Sequence, residues 1–293
     1  MAAQVIPGAE EWSHTSTSSV GALVVHGFTG NPSSMRELAQ AFADAGFNVE
    51  LPRLAGHGTE VADLLDKRWS HWSSDAEAAY QKLAKRCSKI VVAGLSMGGA
   101  LTLWLASKHA DLAGIVCINP VTQPLGDDMM GAINGMLDAG TEMFPGIGSD
   151  IADPNVKESS YPETPLRALS SLMVDGVTPL SRAYLSIKVP MMLFSSRNDH
   201  VVDPANSETV IDNISSVDIR EVVFERSFHN VALDHDLGQF DFGLVGDSVG
   251  DPDAELLAGR VGFVLGEHGR ELIPEVGHIL EIPELLHEII GEL

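Results

Sequence analysis

Cysteine is scarce: only Cys87 and Cys117 occur in 293 residues. Two lone cysteines far apart, one of them inside the apolar run Ala113–Asn119, make no disulfide framework and point to a reduced, cytoplasmic setting. Long apolar runs are missing too. No stretch of about 18 apolar residues exists, so no membrane-spanning helix is expected. The opening segment Met1–Trp12 carries Glu10 and Glu11, has neither a basic start nor an apolar middle, and does not read as a secretory signal. Positive charge is the third deficit. Against 41 Asp and Glu stand 18 Lys and Arg, a formal charge of −23. Such a surface repels nucleic acid and anionic headgroups, which excludes DNA and RNA as expected partners and disfavours membrane insertion. The 11 histidines are scattered without paired spacing, and neither C-x-x-C nor H-E-x-x-H occurs. The glycine-rich segments lack the P-loop lysine and the G-x-G-x-x-G pattern. No metal and no cofactor is implied.

What is present is an ordinary globular composition, 44% hydrophobic and 20% charged, in a chain long enough for a sizeable core. Short apolar runs alternate with amphipathic helical stretches. Val20–His26, Phe47–Leu51, Ile90–Ala93, Leu112–Ile118, Pro190–Ser195 and Val217–Glu225 read as strands. Ser33–Ala45, Trp69–Cys87 and Gly98–His109 read as helices, the first ended by Gly46. This alternation predicts an α/β fold, a mostly parallel sheet flanked by helices.

Residues 121–187 break the alternation. They hold Met129, Met130, Ile133, Met136, Leu137, Met143 and Phe144 but no strand-like core, followed by a polar loop over 150–164. An insertion of that size is expected to sit over the sheet edge as a cap, its methionines either packing it down or accepting a flexible apolar ligand. The expected layout is a core of residues 1–120 and 188–268, a cap over 121–187 and an acidic C-terminal extension over 269–293. A last helix is expected over 253–268. Leu285, Leu286, Ile289, Ile290 and Leu293 share one helical face, to be buried on the chain's own body or in a homodimer.

Chemistry concentrates in Lys89–Ala106, KIVVAGLSMGGALTLWLA. It contains Gly94-Leu95-Ser96-Met97-Gly98, a G-x-S-x-G match with an apolar strand before it and an apolar helix after it. That context puts Ser96 in a sharp strand-to-helix turn, its hydroxyl raised at the end of the sheet beside a helix N-terminus. A serine hydroxyl needs a base to attack, and in such folds the acid and then the histidine follow in loops after later strands. Arg197-Asn198-Asp199-His200 follows one strand and Ser227-Phe228-His229-Asn230 the next. Asp199 is the favoured acid and His229 the favoured base. Their rivals are Asp203, which suits a helix cap before Pro204, His200 beside the acid, and His235 and Asp236 beyond the base. After the first strand, His26-Gly27-Phe28-Thr29-Gly30 can aim a backbone N–H at a reacting carbonyl. Phe28 and Met97 supply the expected oxyanion pair, with the Phe28 ring at the acyl pocket. His26 and His57 read as loop anchors, and His71, between Trp69 and Trp72, as a helix residue near the core.

The segments LVVHGFTGNPSSMRELA, LPRLAGHGT, GLSMGGALTLWLA, IGSDIADPNVKESSYPETP, SSRNDHVVDP and SFHNVALD, in this order, resemble the bacterial monoacylglycerol lipases and, more broadly, small carboxylesterases of the α/β-hydrolase superfamily. The likeness runs from about Val20 to Asp236. It implies the α/β-hydrolase fold with an inserted cap and a serine esterase that releases fatty acid and glycerol. Ser96, Asp199 and His229 match the family's triad, and Phe28 and Met97 its oxyanion hole. Glu158 matches a position that contacts the glycerol headgroup, and Ile147 one that lines the pocket wall. Residues 238–252 look like an insertion, and the tail from Gly269 has no counterpart in the family. The expected partner is a small lipid or ester substrate. A general short-chain carboxylesterase and a non-catalytic ligand-binding protein on the same fold are the competing readings.

Overall fold

Apolar runs form the sheet that the alternation predicts. A computed structural model of the chain describes residues 3–146 and 148–235, all within the unit Met1–Leu237. The expected insertion at 238–252, the helix over 253–268 and the acidic extension with its apolar stripe lie outside the described residues. In chain order the elements are β1 (Trp12–His14), β2 (Val20–Val25), α1 (Arg36–Asp44), β3 (Asn48–Leu51), α2 (Trp69–Ala84), β4 (Lys89–Leu95), α3 (Met97–Lys108) and β5 (Gly114–Ile118). Then come α4 (Asp127–Asp138), β6 (Met143–Pro145), β7 (Glu163–Pro165), α5 (Leu166–Ser171), a π-helical turn (Leu172–Val177) and α6 (Thr178–Ser181). β8 (Met191–Ser196), α7 (Ala205–Asn213) and β9 (Ile219–Phe224) follow.

The described residues form a seven-stranded sheet in the order β1-β3-β2-β4-β5-β8-β9. All neighbours are parallel except β1, which pairs antiparallel with β3. β3, β5 and β8 are buried at every residue, as is β4 beyond Lys89. Helices must therefore cover both faces, which is why these strands read as continuous apolar runs. α3 is buried almost all round, from Met97 and Gly98 to Leu105 and Ala106, the pattern of a helix at the centre of a core. β9 lies at the edge and exposes Arg220, Glu221 and Val223.

The sheet matches the expected strands to within a few residues at each end. Three details differ. β1 was not expected, because three residues carry too little alternation to announce a strand. Within 121–187, β6 and β7 form a short antiparallel pair, Phe144 opposite Thr164, where no strand was expected. His71 is exposed rather than near the core. Its Nδ1 accepts the Arg68 backbone N–H at 3.1 Å and so closes the start of α2. Both cysteines are buried and free. Among the described residues, no helix is long and apolar enough to cross a membrane.

Candidate active site

Ser96 sits in the turn that its motif predicts, between the end of β4 and the first residue of α3. Its backbone is at φ 57° and ψ −117°, a strained conformation for a residue with a Cβ, held by the structure around it. Three main-chain hydrogen bonds hold it: Ser96 N–H to the Ile118 carbonyl at 2.9 Å, and Ala100 and Val121 N–H to the Ser96 carbonyl at 3.1 and 3.2 Å. The flanking glycines are required by contact. A Cβ on Gly94 would overlap the Gly98 carbonyl, and one on Gly98 would overlap the Val25 carbonyl of the neighbouring strand. β2 and α3 thus meet through bare backbone, and the loop after β2 comes directly against the serine. A Cβ on Gly27 would lie 3.4 Å from that of Ser96.

The expected acid and base meet one another. Asp199, three residues after β8, and His229, five after β9, share a hydrogen bond in which Asp199 Oδ2 accepts from His229 Nδ1 at 2.7 Å. Both side chains are buried, at 1% and 11% exposed. The second Asp199 oxygen, Oδ1, accepts the backbone N–H groups of Val201 and Val202, each at 2.8 Å, so the carboxylate cannot rotate away from the ring. With Nδ1 engaged as donor, Nε2 is left as the basic nitrogen. Burial works to lower the His229 pKa. The Asp199 charge and hydrogen bond, with the charges of Glu158 and Asp150, outweigh it and hold the group above the ordinary histidine value.

The rivals are engaged elsewhere. Asp203 Oδ1 accepts the Ala205 N–H at 2.8 Å, at the start of α7. His200 Nδ1 bonds Asp150 at 2.9 Å, and His235 lies 3.9 Å from Asp153. Asp236 lies outside the described residues. His26 is a loop anchor, as its sequence context suggests. Its Nε2 accepts the Leu54 N–H at 3.2 Å and its Nδ1 bonds the Gly27 carbonyl at 2.9 Å, while burial lowers its pKa to about 4. His57 is likewise buried, bonded through Nδ1 to the Ala55 carbonyl at 3.1 Å, and burial holds it well below the usual histidine range.

Phe28 and Met97 occupy the loop after β2 and the first turn of α3. Among the described residues, neither amide has a hydrogen-bond acceptor. The Phe28 ring stacks edge-on against Trp72, 5.6 Å between centroids. Glu158 is half-buried and close to this group. It would lie 3.1 Å from a Cβ on Gly30. Burial raises its pKa, the neighbouring His229 and Asn230 oppose the rise, and Asp150 adds to it. The Asn230 amide favours the ionised carboxylate, yet neither of its polar atoms completes a hydrogen bond of standard geometry. Ile147 lies outside the described residues.

Several residues that hold the site were not singled out in the sequence. Asn119, at the end of β5 with φ 40°, donates through Nδ2 to the His229 carbonyl at 2.7 Å and to Ser196 Oγ at 3.0 Å, and accepts the Ser196 N–H at 2.7 Å. It follows Ile118, which holds the Ser96 amide, so one chain end serves the serine and the histidine loop together. Asn31 ties the loop after β2 to the Ser159 carbonyl, and Tyr161 N–H bonds the Thr29 carbonyl at 3.0 Å.

Comparison with known proteins decides the family. The sequence profile of the hydrolase family described as "Serine aminopeptidase, S33" matches residues 20–236. The chain belongs to this family of α/β hydrolases. This hydrolase is 42% identical over 237 residues to the thermostable monoacylglycerol lipase of Bacillus sp. (strain H-257), a match spanning 79% of the chain and 91% of that protein. It is 25% identical over 218 residues to a carboxylesterase of Bacillus subtilis (strain 168), spanning 72% and 85%. Among solved structures, a metagenome-derived lipolytic enzyme of the LipS and LipT study is 42% identical, with a TM-score of 0.76 over 80% of this hydrolase and 95% of that chain. The monoacylglycerol lipase of Paleococcus ferrophilus, at 15% identity, shares the fold with a TM-score of 0.63 over 78% and 93%.

Proposed function

We propose that this hydrolase cleaves monoacylglycerols to fatty acid and glycerol through an acyl-enzyme, with Ser96, His229 and Asp199 as its triad. The observation that carries the reading is the buried 2.7 Å Asp199–His229 pair, on the loops that follow β8 and β9, in a chain whose strained serine begins α3. Ser96 Oγ attacks the ester carbonyl as His229 Nε2 takes its proton. The Phe28 and Met97 amides receive the charge on the carbonyl oxygen, and such donors contribute about 3 kcal/mol each in comparable enzymes. His229 then protonates the departing glycerol oxygen. Water, deprotonated by the same nitrogen, hydrolyses the acyl-serine and releases the acid.

The substrate class rests on three supports. The 42% relative is a monoacylglycerol lipase. Glu158 is a half-buried acceptor within electrostatic reach of His229, suited to diol hydroxyls. The insertion over 121–187, which we read as the cap with Ile147 on the pocket wall, holds half-buried Met129, Met130 and Met136, a surface that adapts to acyl chains. A panel of monoacylglycerols from two to eighteen carbons, with simple nitrophenyl esters and aminoacyl naphthylamides, tests it. Turnover should peak at medium or long monoacylglycerols, with the naphthylamides left intact. A peak at two carbons irrespective of the alcohol would favour a short-chain carboxylesterase instead. A cytoplasmic setting, supported by two free thiols, and a homodimer complete the proposal, the latter to be read by light scattering.

Because His229 must be neutral to act as base, kcat/KM should fall as pH drops through its pKa. That pKa is raised in the folded enzyme, so the acid limb should centre above the 6.5 of ordinary histidine. A limb centred below 6 in the free enzyme would contradict the described surroundings of the ring.

A further inference from the structure

The insertion over 121–187 touches the loops that follow β8 and β9. Its residue Asp150 reaches both loops that carry the acid and the base, and the carboxylate is 12% exposed. Oδ2 accepts two backbone N–H groups, from His229 at 3.0 Å and from His200 at 3.1 Å. Oδ1 bonds the His200 ring at 2.9 Å, and the Asp150 carbonyl accepts the Asn230 N–H at 3.1 Å. A single side chain therefore holds the amide of the base itself and that of the residue after the acid.

The contact is returned by the loop that follows β9. Buried Asp234 accepts Ala152 N–H at 2.8 Å and Asp153 N–H at 3.1 Å, from the insertion. It also accepts Phe228 N–H at 2.9 Å and His235 N–H at 2.7 Å, from its own loop. Two carboxylates thus satisfy six backbone amides across one seam. Charge-assisted bonds to backbone N–H are about twice as strong as neutral ones, and removal of an acceptor leaves buried donors unpaired.

We propose that Asp150 is a positioning residue for the reaction: from the insertion it fixes the His229 main chain relative to Asp199 and adds its negative charge to the base's surroundings. Asn119 holds the same loop from the sheet side through the His229 carbonyl, so the base is gripped at both ends of its own residue. Displacement of a catalytic group by about 1 Å costs on the order of 100-fold, which sets the scale. The charged groups facing His229 are Asp199, Glu158 and Asp150. Those near Asp150 are His200, His229 and Glu158.

The proposal rests on the triad reading above, and its test keeps the two apart. Asp150→Ala and Asp150→Asn are compared with wild type for kcat, KM and pH profile, each rate divided by the sites titrated with an organophosphonate and each fold checked by thermal unfolding. In Asp150→Asn the amide oxygen can still accept the two backbone N–H groups, while the charge is gone. We expect it to keep kcat within about threefold, with the acid limb of kcat/KM moved to lower pH. Asp150→Ala should lose about 10- to 100-fold in kcat with KM little changed. If titrated, folded Asp150→Ala keeps wild-type kcat and an unmoved acid limb, Asp150 is merely structural and the proposal falls. Equal losses in kcat for both variants with no movement of the limb would overturn it as well. Absence of wild-type esterase activity would instead sink the triad reading.

Discussion

Ser96→Ala lowers kcat/KM for a monoacylglycerol by roughly 10⁵-fold and leaves the fold intact. The size follows from the loss of the nucleophile, since triad members act as a unit and the remaining oxyanion donors and binding contacts sustain only a small residual rate. The intact fold follows from how Ser96 is held. Its three hydrogen bonds to Ile118, Ala100 and Val121 all run through the main chain, and alanine keeps each of them. The φ of 57° is as strained for alanine as for serine, so the variant neither relieves nor adds to it. Thermal unfolding should therefore match wild type while esterase turnover disappears. A folded variant with turnover within tenfold of wild type would mean that another group attacks the ester.

Asp199→Asn comes next in size, at about 10⁴-fold in kcat with KM little changed. The Asp199 carboxylate has two distinct duties: Oδ1 accepts Val201 and Val202 N–H, and Oδ2 accepts from His229 Nδ1. An asparagine that places its oxygen on the two backbone donors turns its NH₂ toward the imidazole. Nδ1 then accepts rather than donates, the proton moves to Nε2, and that nitrogen can no longer act as base. Asp203→Asn supplies the contrast. That carboxylate serves the start of α7 through one oxygen, a bond the asparagine oxygen can keep, so stability and kcat should both stay near wild type. Comparable losses of kcat at both positions would point to a general effect of charge on this acidic chain.

How much of the site the sequence makes legible depends on how local each signal is. The Ser96 turn is fully local: an apolar strand, two glycines and an apolar helix occupy adjacent residues, and the need for bare backbone at Gly94 and Gly98 lies within the motif. Asp199 is legible because it follows a strand that is itself an apolar run, and His229 because it follows the last recognisable strand, β9. The residues that hold them are not. Asn119 bonds partners 77 and 110 residues away, and Asp150 partners 50 and 79 away. Each looks in sequence like an ordinary polar residue at a loop. His71 shows a different failure. Trp69 and Trp72, three apart, share the buried face of α2, and a residue two positions after Trp69 points roughly opposite at 3.6 residues per turn. Helical phase would have placed it outside, where flanking tryptophans suggested the core. The strands β1, β6 and β7, three residues each, are too short for alternation to distinguish them from loop.

Asn119, Asp150 and Asp234 also bear on how the insertion behaves. Asn31 and Tyr161 tie it to the loop after β2, and the paired carboxylates tie it to the loops of the base and acid. The stretch over 149–161 is thus fastened at the site itself, and Glu158 is carried on that fastened stretch. On the proposed function, headgroup recognition and triad geometry would share one support.

The most direct measurement is peptide mapping after reaction with a long-chain organophosphonate that mimics the monoacylglycerol ester. One phosphonyl group per chain should be found, on Ser96, with esterase activity lost in proportion and labelling prevented by saturating monoacylglycerol. Labelling at another residue, or full activity in enzyme already phosphonylated at Ser96, would contradict an acyl-enzyme on that serine.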